Sequence, residues 1–153
     1  VNRGAGASRN LGMRKSSCEY IAFLDADDYY LPRRFAKAKE IFQANLDCDG
    51  VYEAVERHIE DEASWERWQR AGKPLKRLHS VSKRIEPHDL WEVLVLGRDS
   101  GFHLDGFVFK RHVLDKSGYM AETLRLHQDT NFIIRVAIVA KLMPGRLKEP
   151  VAR

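Results

Sequence analysis

Hydrophobic and polar positions change period several times along the chain, and each change marks an element. From Gly4 to Lys15, small residues interleaved with Leu11 and Met13 read as a short helix after a Gly-rich turn, closed by Ser16 and Ser17. Glu19 to Leu24 is a short apolar run bounded by turn formers, the pattern of a fully buried strand. Pro32 then suits the first turn of a helix whose Phe35, Ala38, Phe42 and Leu46 recur at helical spacing, and "DCDG" ends it. Val51 to Ile59 reads as a second strand. Strand, helix and strand in that order predict a parallel α/β layer.

From Glu60 the pattern turns charged. The stretch to Pro87 breaks at Gly72-Lys73-Pro74, and between Arg67 and Arg84 it holds seven Lys or Arg with no acid among them. It predicts a helix plus an exposed loop, inserted on the α/β layer. Asp89 to Leu96 predicts a third helix, entered after Pro87 and stopped by Gly97. Asp105 to Lys110 predicts a strand, Arg111 to Ser117 a short helix ended by Gly118, and Thr130 to Leu142 a final helix with Phe132, Ile133, Val136 and Val139 on its apolar face.

Composition narrows the class. With 153 residues, 44% hydrophobic and 31% charged, the chain suits one globular domain with a real core. No apolar run nears the roughly 20 residues needed to span a bilayer. Cys18 and Cys48 lie in no metal-ligand spacing, and the histidines show none either, which argues against zinc and for a reduced, cytoplasmic setting. A net charge of +4 permits phosphate-bearing partners without demanding nucleic acid. The chain begins in "NRGAGASRN" and ends in "LKEPVAR", both of which read as mid-domain, so a fragment is expected. A truncated sheet would expose apolar surface and unpaired backbone, favouring homo-oligomers.

The candidate chemistry sits in "YIAFLDADDYY", Tyr20 to Tyr30. Three carboxylates follow a buried strand, at the edge where open α/β sheets bind ligands. In extended geometry Asp25 and Asp27 face the same way, and two converging oxygen donors suit Mg²⁺ or Mn²⁺ completed by substrate phosphates. Asp28 suits ligand orientation or the start of the next helix. Helix capping accounts for Asp28 but lies too far from Asp25. An EF-hand fails for want of its glycine and terminal Glu. A haloacid-dehalogenase phosphatase also opens with Asp-x-Asp after a strand, but normally continues with residues unlike Asp28 and Tyr29.

These residues carry a family likeness. "GASRNLGMRKSSCEYIAFLDADDYYLPRRFAKA" resembles the middle segment of family 2 glycosyltransferases: an Arg-Asn pair in a helix, a strand ending in Asp, an Asp-x-Asp and a proline-led helix. The likeness covers Asn2 to about Val55, and a looser one runs from about Leu104 to Arg153. It implies a partial GT-A fold, an α/β Rossmann-like mixed sheet flanked by helices. Residues 1–59 would then be the C-terminal part of the nucleotide-sugar half, 60–88 a charged insertion and 89–153 the acceptor-side half. The implied activity is inverting, metal-dependent transfer of a sugar from a nucleotide-diphosphate donor to an acceptor hydroxyl. The resemblance makes Asp25 and Asp27 the Mn²⁺ or Mg²⁺ and donor contacts, Arg9 and Asn10 part of the nucleotide pocket, and Asp129 the general base. Asp28 and His127 join as substrate contacts.

Two departures stand out. The family's first strand and the elements after it have no counterpart, and Gln128 stands where Glu is frequent. The alternatives are the phosphatase and a non-catalytic fragment. Local pattern alone makes Asp129 a helix cap and His127 a solvent-facing loop residue. Trp65 and Trp68, one helical turn apart, read as a packing face rather than a sugar platform. The Arg67 to Arg84 run reads first as a solvated surface and second as a dock for an anionic acceptor or membrane headgroups.

Overall fold

The computed structural model describes residues 4–59, 61–72 and 78–153. Helix α1 (Ala5–Lys15) starts after Gly4, whose φ of 88° suits a residue without a Cβ, and ends on Arg14 and Lys15, where cations complement the helix dipole. Strand β1 (Tyr20–Ala22) covers only part of the expected run. Residues 32–35 form turns with Arg33 at φ 62°, so helix α2 (Ala36–Ala44) begins beyond Pro32 rather than on it.

The strand expected from Val51 to Ile59 is two, β2 (Gly50–Tyr52) and β3 (Ala54–Glu56), in different sheets. The break falls on Glu53, a fully buried acid whose amide donates to the Gly106 carbonyl at 2.8 Å instead of continuing a ladder. Helix α3 (Glu62–Arg70) is capped by Asp61, which accepts from the Ser64 amide at 2.7 Å. Then follow β4 (Leu78–His79), α4 (Leu90–Val95), a 3₁₀ turn Leu104–Gly106, β5 (Phe107–Lys110), α5 (Leu114–Ser117), α6 (Gln128–Val139), β6 (Leu142–Pro144) and β7 (Pro150–Ala152).

One sheet has the order β1-β5-β2-β6, the other β4-β3-β7. The expected direct parallel pairing of β1 with β2 does not occur. Strand β5 lies between them, antiparallel to both, with Ile21 opposite Phe109 and Val51 opposite Val108. The α/β class stands, but the sheet is mixed: β6 runs parallel to β2. Helix α6 starts at Gln128, before Thr130, and gives up Leu142 to β6.

Strand alternation on β5 shows why both faces are covered. Phe107 and Phe109 face one core, where Phe109 meets Phe132 of α6 at 5.7 Å and Phe23 at 6.2 Å. Val108 faces the other, with Ala38, Ile41 and Phe42 of α2. Each such aromatic contributes about 1.5–3 kcal/mol by leaving water. The basic stretch is not all surface: Lys83 and Arg84 are exposed, yet Val81 and Ile85 are buried in the first core. Residues 73–77 of that stretch lie outside the described residues. Trp65 and Trp68 are half-buried, with Arg57 over the Trp68 ring at 4.7 Å.

Candidate functional site

Past β1 the chain does not stay extended. The Asp28 amide donates to the Asp25 carbonyl at 3.2 Å, closing a turn with Ala26 and Asp27 at its corners. The alternation expected to align Asp25 with Asp27 is therefore absent. Asp25, 29% exposed, forms an ion pair with Arg9. Asp27 and Asp28 line a cavity of about 380 Å³ together with Arg57, His79, His103 and Arg153. A larger hollow of about 630 Å³, between β1 and α2, is walled by Tyr20, Phe35, Phe42 and Leu46 and is too apolar for phosphate chemistry.

The partners of the acidic turn come from the far side of the chain. Asp25, His103 and Asp105 bring one ligand atom each to within 4.8 Å of one another. Asp105 is fully buried. Its Oδ1 accepts from the Asp25 amide at 3.2 Å, and its carbonyl accepts from Arg34 Nε at 3.1 Å. His103 Nδ1 accepts from the Asp105 amide at 3.4 Å and lies 3.4 Å from its Oδ2. Gly106 makes this turn possible, because a Cβ there would lie 2.2 Å from the Glu53 carbonyl oxygen. Two carboxylates and an imidazole at this range suit a divalent cation such as Mn²⁺.

Charge in the cluster is under-neutralised. Hydrogen bonding to Asp105, then burial, then the charges of Asp105 and Asp27 push the Asp28 carboxyl up to about 6. For Asp105, burial pushes upward, but hydrogen bonds from His103 and Asp28 outweigh it and hold the group below the usual carboxylate range. His103 is raised, first by its hydrogen bond to Asp105.

The Arg-Asn pair divides its work. Arg9 holds Asp25. Asn10, 1% exposed, latches α1 to the 120–122 segment, donating to the Met120 carbonyl and Glu122 and accepting from the Met120 amide, each at 2.9 Å. Gln128 Oε1 accepts from the Gly6 amide at 2.7 Å, joining α6 to an otherwise unpaired donor at the start of α1. His127 precedes α6 at φ 59° and is exposed. Asp129 lies inside the first turn of α6, not at its cap, where the dipole favours an acid. Its Oδ1 accepts from the Thr130 amide at 2.8 Å. Its charge also reaches His79, which burial holds below its ordinary value. His103 and Asp105 escaped the sequence reading, since a pair in "HLDGFVF" shows no relation to residue 25; acids and histidine just before an apolar strand were the available signal.

Comparison with known proteins supplies the family. The profile of glycosyl transferase family 2 matches residues 1–103. This chain belongs to glycosyl transferase family 2. The matched part takes in α1, the acidic turn and His103, and stops short of Asp105 and Asp129. An uncharacterized glycosyltransferase of Haemophilus influenzae is 23% identical over 151 residues, 99% of this chain and 47% of that protein. One from Methanocaldococcus jannaschii is 43% identical over 54 residues, 35% of this chain and 19% of its own length. S. aureus TarS has the same fold: its residue 1–349 crystal structure matches with a TM-score of 0.68 at 14% identity, over 99% of this chain and 40% of that one. TarS has also been solved with UDP and with UDP-GlcNAc. The chain spans less than half the length of each of these proteins. Family membership disfavours the phosphatase reading. Among the described residues, no helix is long and apolar enough to cross a membrane.

Proposed function

We propose that this family 2 chain serves inverting, cation-dependent transfer of a sugar from a nucleotide-diphosphate donor to an acceptor hydroxyl. The observation that carries this is the acidic turn of residues 25–28, opening on a polar cavity in a chain whose fold neighbour TarS is known with UDP and UDP-GlcNAc. Residues 1–59 would supply the sugar-diphosphate side and 89–153 the acceptor side, with 60–88 between them.

A divalent cation held at Asp25 and Asp27 would supply positive charge at the leaving diphosphate. Arg9 keeps Asp25 oriented, and Asn10 fixes the loop that borders α1. Asp28 orients the donor, and His127 lies on the acceptor approach. The acceptor oxygen attacks the anomeric carbon while its proton passes to the Asp129 carboxylate. The bond from that carbon to the diphosphate oxygen breaks on the opposite face, and its electron pair leaves with the diphosphate. Attack from that side inverts configuration.

Titration with UDP and GDP, with and without Mn²⁺, tests the binding half: diphosphate binding must depend on the cation. For the chemical half, Asp129→Asn should lower the transfer rate about 10²–10⁴-fold while leaving UDP affinity within about twofold. Undiminished transfer in that variant would remove Asp129 from the base role.

A further inference from the structure

Resting on that reading, we propose that His79 is a specificity-determining residue for the donor, its Nδ1 accepting a hydrogen bond from a hydroxyl of the transferred sugar. The residue stands where such a contact is needed. Strand β4 pairs antiparallel with β3, His79 opposite Val55, and the ring lines the cavity that Asp27 and Asp28 also line. The charge of Asp129 reaches the same ring. In the proposed reaction the sugar lies between the cation-bound diphosphate and that base. A wall within reach of both is where its hydroxyls are read.

The hydrogen bonds of the ring decide what it can offer. Nε2 lies 3.0 Å from the Ser100 carbonyl, which can only accept, so Nε2 carries the proton. Ser100 is itself braced, its hydroxyl donating to the Ser80 carbonyl at 2.8 Å and its amide to Asp99 at 2.7 Å. In the neutral ring Nδ1 then keeps the lone pair, and burial favours that neutral form. Among the described residues no group donates to Nδ1. Its neighbours on the wall are differently disposed. Arg57 lies over the Trp68 ring, Arg153 is bonded to Glu56, and His103 Nδ1 is taken by the Asp105 amide. Guanidinium groups only donate. His79 therefore adds a neutral acceptor in a fixed tautomer, suited to a hydroxyl and not to an ionised phosphate. A site built to accept from a hydroxyl also rejects a sugar that lacks it.

The test reads tautomer and affinity in the whole chain, with UDP-GlcNAc, UDP-glucose and GDP-mannose each compared with its own nucleoside diphosphate. Long-range ¹⁵N NMR of the histidines, with Mg²⁺ as the cation, should show His79 protonated at Nε2 and bare at Nδ1. At least one nucleotide sugar should shift the Nδ1 resonance where its diphosphate does not. By calorimetric titration, His79→Gln should weaken that nucleotide sugar at least about fivefold while its diphosphate stays within about twofold. His79→Asn keeps an acceptor oxygen in the place of Nδ1 but gives up the Ser100 bond, and should hold the sugar within about twofold of the parent. A merely structural role predicts the opposite order of the two variants. Should His79→Asn fail to fold, as read by far-UV circular dichroism, the NMR of the parent chain and His79→Gln decide the question. An Nδ1 resonance that no nucleotide sugar moves, or a loss in His79→Gln shared equally by sugar and diphosphate, overturns the assignment. Cation-dependent diphosphate binding in that same protein would leave the proposed function standing. A chain that binds none of these nucleotides overturns both.

Discussion

Two fully buried carboxylates, Glu53 and Asp105, lie on either side of one close backbone approach, and their surroundings differ in a way that separates scaffold from site. Glu53 meets Arg34 Nη1 at 2.8 Å, Arg146 Nε at 3.3 Å and the Arg146 amide at 3.2 Å. Both of its oxygens are met by fixed cations. Asp105 has Asp25 and Asp28 for neighbours, one histidine against it, and only a main-chain bond from Arg34. A buried acid whose lone pairs are matched holds a fold together. One whose neighbours are acids and a histidine, groups that can change charge, belongs to the site rather than the scaffold.

The largest effect should come from breaking the matched side. Glu53→Gln leaves Arg34 and Arg146 without their countercharge in the interior, where removing one partner typically costs about 3–5 kcal/mol. Urea unfolding should show the midpoint falling by that amount with an unchanged slope. A loss under about 1 kcal/mol would mean that packing, not the ion pairs, fixes Arg34.

Asp105→Asn probes the other side and should cost far less. Its amide oxygen can still accept from the Asp25 amide, while its NH₂ offers the unmatched carboxylates a donor and one negative charge disappears. Stability at pH 7 should fall by no more than about 1 kcal/mol, since the lowered carboxyl marks a charged form that the fold favours. A drop as large as that of Glu53→Gln would erase the distinction between the two acids.

Much of this frame is legible from pattern, and the remainder is hidden for a physical reason. Helical periodicity places α2 and α6 because the information is local, in Ala38 and Phe42 and in Phe132 and Val136, while turn and stop residues bracket α1 and α4. The insertion of β5 between β1 and β2 is a long-range pairing that no local period encodes. Strands β6 and β7 are three residues each and carry Pro144 and Pro150, which read as breakers. Val81 and Ile85 were masked by the basic residues around them. At the site, the acids of residues 25–28 are visible as a cluster. Their turn, however, depends on a single backbone hydrogen bond, and Asp105 is 80 residues from Asp25.

The smallest effect sharpens the comparison with a second pair. His79 and His103 have ring centroids 5.9 Å apart and shift in opposite directions. Burial lowers His79 from its ordinary 6.5, against a hydrogen bond to the Ser100 carbonyl at 3.0 Å and the charge of Asp129, both of which raise it. A histidine with a depressed folded pKa binds fewer protons folded than unfolded. Its share of stability is therefore complete above about pH 6.5 and is lost as pH falls through the folded value. His103, raised by Asp105, works the other way: its share is complete below that pH and is lost as pH rises. His79→Gln should thus flatten the fall in Tm between about pH 7 and pH 5, by less than either acid substitution changes stability. Calorimetry at the two pH values reads it directly. An unchanged slope would mean that His79 titrates as though exposed, and that the wall it forms beside His103 is open to water.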